Sequence, residues 1–113
     1  MERRNEVLEL SFEFALEIIT FTELLEEQKK YIISRQLLKS GTSIGANVRE
    51  SQNSESKADF IHKLKIAAKE ADETEYWLLL CQHSPSYPYD PNMMTKLISI
   101  KKLLSSIISK MKN

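Results

Sequence analysis

The chain has 113 residues, room for one hydrophobic core, so a single domain over residues 1–113 is expected. Two glycines and three prolines in that length favour long helices over a strand-and-turn protein. Formal net charge is zero, which removes any global pull toward nucleic acid or an anionic membrane.

The single cysteine, Cys81, excludes an internal disulfide framework and fits a reducing compartment. The first residues (Glu2, Arg3, Arg4, Glu6, Glu9) are charged, unlike a signal peptide, and no apolar run approaches the roughly 20 residues of a membrane helix. A cytoplasmic protein with no membrane partner is the expectation.

Helical periodicity predicts a first helix over about residues 4–27. Val7, Phe14, Ile18, Phe21 and Leu25 mark its apolar seam, Leu8, Ala15 and Ile19 broaden it, and Phe12 and Leu16 lie off it. The charged stretch Glu26 to Lys30 reads as a connection. A second helix over 31–53 has Ile33, Leu37, Ile44 and Val48 as apolar marks, with small and polar residues between them. Gly41 and Gly45 lie on one face of it, and each costs about 1 kcal/mol relative to Ala inside a helix. Close approach of another backbone or a large side chain would offset that cost, and the alanines of the third helix are the expected neighbour. A locally weak or bent helix is the other reading.

Ser56 followed by Asp59 is a capping-box variant that opens a third helix over 56–83. Its seam, Phe60, Leu64, Ala67, Ala71, Thr74, Leu78 and Cys81, alternates steps of four and three, the period of knobs-into-holes packing. The stretch Ser84 to Tyr89, with Pro85 and Pro88, cannot continue a helix. Asp90 then caps a fourth helix over 91–112, with Pro91 at its favoured first position and a seam of Leu97, Ile100, Leu104, Ile107 and Met111. Four amphipathic helices on short connections predict an all-α fold, an antiparallel up-down-up-down four-helix bundle. Apolar width beyond what the core needs predicts burial against another copy.

Charge is distributed by segment. Residues 1–27 are acidic and residues 91–113 carry five lysines and no acid. Acidic and basic helices pairing as bundle neighbours is one reading; a basic face left free for an anionic partner is the other.

No catalytic constellation stands out. Glu-x-x-His, which a carboxylate-bridged metal bundle needs on two helices, is absent from the sequence, and Asp59-x-x-His62 sits at a helix start where Asp59 already has a capping role. Cys81 and His83, two apart on a helix, do not face each other. Gly41 to Gly45 lacks the strand and lysine of a phosphate loop. The expectation is no enzyme, no metal, no cofactor and no small-molecule substrate. Ser43, Asn47 and Glu50 are different, because steps of four and three place them on one helical face. If buried they must be hydrogen-bonded, and such a set can fix register or assembly; exposure to solvent is the alternative.

The segment QLLKSGTSIGANVRESQNSESKADFIHKLKIAAKEADETEYWLLL (residues 36–80), preceded by SFEFALEII (residues 11–19), resembles the 23S ribosomal RNA intervening-sequence protein family, whose early label was S23 ribosomal protein. The resemblance is carried by Ser43-Ile44, Ala46-Asn47-Val48 and Glu50, then Phe60, Ala67, Ala68 and Ala71, and Glu73-Thr74-Glu75-Tyr76. It implies a four-helix bundle, ring-shaped homopentamers, and no established enzymatic activity. It also implies a distant similarity to the basic, nucleic-acid-binding accessory protein of diversity-generating retroelements. Ser51 stands where many members have Gly, and the neutral charge departs from the retroelement protein.

Two functional readings follow. One is a self-associating bundle that binds RNA or another nucleic acid, with Lys96, Lys101, Lys102, Lys110 and Lys112 as the contacts. The other is a structural scaffold whose partner is another polypeptide, with those lysines balancing the acidic first helix.

Overall fold

The computed structural model describes residues 2–112, with side chains described from Glu6 onward. It contains α1 (Glu2–Glu27), α2 (Tyr31–Ser51), α3 (Lys57–His83) and α4 (Pro91–Lys112), and no strand among the described residues. Each helix follows from its own sequence signals. Ser56 caps α3 by accepting the Asp59 N–H at 3.0 Å, and Asp59 in turn accepts the Glu55 N–H at 3.3 Å. Asp90 caps α4 through the Asn92 N–H at 2.9 Å. Ahead of the predicted end of α2, Gln52 and Asn53 bond to Arg49 and Glu50, three residues back, so the last turn tightens and the helix stops at Ser51.

The end of α1 is a Schellman motif. The Lys30 N–H reaches the Leu25 carbonyl at 2.8 Å and the Lys29 N–H reaches that of Glu26 at 2.9 Å. This requires the left-handed backbone, and Lys29 occupies it at φ 65° where glycine is usual. Lys30 then crosses to the other connection at this end, its ammonium 3.2 Å from Ser86 Oγ and 4.8 Å from the centre of the Tyr87 ring.

Helix α1 packs on α2 and α4, and α3 packs on α2 and α4, with no diagonal packing among the described residues. Neighbours run antiparallel. Along α2, Ser34, Gly41 and Gly45 meet Thr22, Ile18 and Ser11 in falling order, and Ser40 and Glu50 meet Thr74 and Lys63 of α3. Near the start of α4, Lys96 meets Glu13 and Glu17 of α1. The result is an elongated up-down-up-down bundle of 45 × 20 × 18 Å. The seams of α1 and α3 are buried throughout, from Val7 to Leu25 and from Phe60 to Cys81. In α4 the core takes Leu97, Ile100, Leu103, Leu104 and Ile107, together with Met93; Met111 is only half-buried.

The glycines of α2 mark a close approach, as their cost required, but the neighbour is α1 and not the alanine-bearing α3. A Cβ on Gly41 would lie 2.8 Å from Ile18 Cγ1, and one on Gly45 would lie 3.2 Å from the Ser11 carbonyl oxygen. One glycine therefore admits a β-branched side chain and the other a backbone. Periodicity identified the face; it did not identify which of two flanking helices lies on it.

Candidate functional site

The α1–α2 face carries apolar residues where a solvated helix pair would carry charge. Leu8, Phe12 and Ala15 of α1 and Thr42, Gly45 and Ala46 of α2 line a groove of about 190 Å³, with Arg49 at its edge. Gly45 deepens it, because no side chain stands between the two backbones there. Phe12 is 60% exposed, and Ile19 and Leu38, both 41% exposed, continue the same faces one to two turns farther along each helix. Exposed apolar side chains in a contiguous row mark a surface that gains by being covered.

Ser43, Asn47 and Glu50 lie on the side of α2 toward α3, and within one chain they do not close into a buried network. Ser43 donates to the Lys39 carbonyl at 2.6 Å, and Asn47 Nδ2 donates to the Ser43 carbonyl at 2.9 Å. Glu50 pairs with Lys63 at 3.1 Å, its side chain 60% exposed. The core phase of α2 runs through Leu37, Ser40, Gly41, Ile44, Val48 and Ser51, so residues 43, 47 and 50 fall at its edge. The buried polar contacts between helices are instead Ser34 Oγ donating to the Thr22 carbonyl of α1 at 2.9 Å and Ser40 with Thr74 of α3, their hydroxyl oxygens 2.9 Å apart. Thr74 is also 2.7 Å from the Glu70 carbonyl, which can only accept. The single Thr74 proton therefore goes to that carbonyl, and Ser40 donates to Thr74. The sequence signal was available. Thr74 sits in an otherwise apolar or small seam, and Ser40 is in phase with Leu37 and Ile44.

The five lysines of α4 divide into two groups. Lys96 bonds Glu17 and lies 3.5 Å from Glu13; Lys101 bonds Glu75 and lies 3.0 Å from Asp72. Hydrogen bonding to Glu17 raises the Lys96 ammonium above the ordinary lysine range, and the bond to Glu75 does the same for Lys101. Both are drawn into pairing with the acidic helices on either side. Lys102, Lys110 and Lys112 are exposed. Of the five lysines suggested as nucleic-acid contacts, two are thus engaged in ion pairs and three stand exposed.

A second groove, about 680 Å³, runs between the later turns of α1 and the start of α4 and is closed at one end by Pro88 and Tyr89. Phe21 and Met93 form its floor and Leu16 and Leu24 its sides, while Glu17, Glu23, Glu27 and Asp90 supply every charged group of the lining. A signal for its acidic side stood in the sequence of α1. Its closed end did not, because it needs the Ser84–Tyr89 loop to fold back against α1.

Among the described residues, no three His, Cys, Asp or Glu side chains converge to hold a metal ion. Burial pushes the Cys81 thiol up to about 11, which keeps it protonated and unreactive at neutral pH. No described helix is long and apolar enough to cross a membrane.

Fold and surface together define a four-helix bundle with apolar-lined grooves on both flanks of α1. Residues 3–108 match the 23S rRNA-intervening sequence protein family, and the chain belongs to that family. Its structure is similar to the crystal structure of a protein of unknown function from the S23 ribosomal protein family of Bacteroides thetaiotaomicron VPI-5482. That similarity has 45% sequence identity and a TM-score of 0.89, covering 95% of this chain and 98% of the other. No curated protein matches the chain in sequence.

Proposed function

We propose that the protein is a non-enzymatic, self-associating helical bundle that acts as a structural scaffold in the cytoplasm. The observation that carries this reading is the apolar α1–α2 face, where Phe12, Ile19 and Leu38 stand exposed beside a groove floored by Gly45 and Ala46. Covering an apolar side chain of that size contributes on the order of 1 kcal/mol or more, so repetition over several side chains favours association. A ring of five copies, which the family resemblance implies, is the specific assembly proposed. Ser43 and Asn47, half-buried at the edge of α2, belong to this proposal as side chains that a neighbouring copy would cover. The test is Phe12→Glu combined with Ile19→Glu. Solution mass should fall to that of the monomer while helical circular dichroism is retained; an unchanged mass refutes the assignment of this face.

RNA association is a second reading, favoured by the family's description and by the exposure of Lys102, Lys110 and Lys112. Such binding would be electrostatic, weakening with salt at a log–log slope of roughly 0.7 to 0.9 per phosphate contacted. Filter binding of structured RNA at low salt tests it, and retention equal to that of a neutral control protein contradicts it.

A further inference from the structure

The groove between α1 and α4 opens on the α4 flank of α1, whereas the proposed self-association face lies on its α2 flank, and the charge along the groove is one-sided. Glu23, Glu26 and Glu27 crowd the last turns of α1, at the negative end of the helix dipole, where the last turn contains no basic residue. Glu23 and Glu27 are four residues apart and repel each other. No ion pair among the described residues relieves them. Lys29, the nearest base in sequence, is exposed and forms no ion pair among the described residues, and Lys30 is turned away to Ser86 and the Tyr87 ring. Lys96, the base of α4 one turn past the groove floor, is committed to Glu13 and Glu17. Folding alone gains nothing from this arrangement, whereas a cation brought from outside relieves it.

The shape of the floor specifies what must carry that cation. Leu16 and Leu24, exposed on either side of the buried Phe21 and Met93, offer an apolar trough beside Glu23, Glu27 and Asp90. A free metal ion or a polyamine leaves such a floor uncovered, and nucleic acid or an anionic membrane is repelled by the rim. From Leu16 to Glu27 the trough follows about three turns of α1, or roughly 17 Å, which is the length of a short amphipathic helix. We infer that this groove docks a basic amphipathic segment of another polypeptide, its apolar stripe on Leu16 and Leu24 and its Lys or Arg side chains paired with Glu23, Glu27 and Asp90. This adds a second surface to the scaffold and does not depend on self-association through the α2 flank of α1.

The experiment uses the full chain and a fluorescein-labelled 14-residue peptide of alternating Lys and Leu pairs, LKKLLKKLLKKLLK, read by fluorescence anisotropy at low salt. Two controls accompany it: a peptide of the same composition scrambled to remove the apolar stripe, and the stripe peptide with Glu in place of Lys. The stripe peptide should bind, both controls at least tenfold more weakly. Glu23→Gln with Glu27→Gln should weaken binding about tenfold while thermal stability stays level or rises, since the like-charge repulsion is removed. Phe12→Glu, on the other face, should leave peptide binding unchanged. The inference is overturned if the glutamine pair leaves binding unaltered, or if the scrambled peptide binds equally well. It is also overturned if amide exchange shows residues 16–27 protected in the free oligomer and unresponsive to peptide, because a second copy then fills the groove.

Discussion

Replacing Gly41 by alanine sets two opposing terms against each other in one position. Alanine gains about 1 kcal/mol of helix propensity over glycine, partly by restricting the unfolded chain. Against this, the new Cβ would lie 2.8 Å from Ile18 Cγ1 and 3.0 Å from both Cδ1 and Cγ2. Ile18 is fully buried and β-branched, so its first torsion has little freedom to move those carbons away. Overpacking of this kind costs about 1–3 kcal/mol. The expected net effect is a loss of about 1 kcal/mol, or a lowering of the thermal midpoint by about 4 °C for a domain of this size. Gly45→Ala provides the comparison, since its nearest neighbour is 3.2 Å away and a small separation of α1 from α2 relieves it; the two terms should nearly cancel there. Urea and thermal unfolding at one fixed protein concentration measure both, because association makes the midpoint concentration-dependent. Trimming Ile18 to Val should recover part of the Gly41→Ala loss as a favourable coupling. A Gly41→Ala protein more stable than the parent refutes the claim that Ile18 fills the space over this glycine.

Further outcomes follow from the same structure. Lys29→Gly should stabilise by about 0.5–1 kcal/mol in urea unfolding, because the Schellman turn holds Lys29 at φ 65°; a loss of stability contradicts that reading. Thr74→Val should cost about 1 kcal/mol, since buried Ser40 loses its partner on α3. Ser40→Ala combined with Thr74→Val should cost less than the two separately, and strict additivity contradicts the pairing. Cys81 has a folded value of about 11 against 9.0 unfolded, so the thiol contributes fully below pH 9 and its contribution is lost as pH rises toward 11. Comparing unfolding of the parent with Cys81→Ala from pH 8 to pH 10.5 should show the parent losing about 2 kcal/mol relative to the variant. A constant difference contradicts burial of the thiol. Raised Lys96 and Lys101 act in the same sense in both proteins, so the comparison cancels them.

How far the sequence reached depended on what kind of contact was being read. Caps are local, and Ser56, Asp90 and Pro91 opened α3 and α4 where their chemistry placed them. Seams are periodic, and those of α1 and α3 are buried residue for residue. Choice of neighbour is neither local nor periodic. Gly41 and Gly45 lie between two flanking helices, and only packing selects Ile18 and Ser11 over the alanines of α3. The polar set shows the same limit: that residues 43, 47 and 50 share a face was legible, but only packing shows that face to be the edge of α2, one step out of phase with the core that holds Ser40. Charge segments were visible, yet whether α4 lysines pair or stand free needed the distances from Lys96 and Lys101 to their carboxylates.

Solution mass of the full chain, measured by light scattering at micromolar concentration and physiological salt, tests the scaffold most directly. The account predicts a discrete assembly, near 66 kDa for five copies of a 13.1 kDa chain. A monomer mass at every concentration would contradict it.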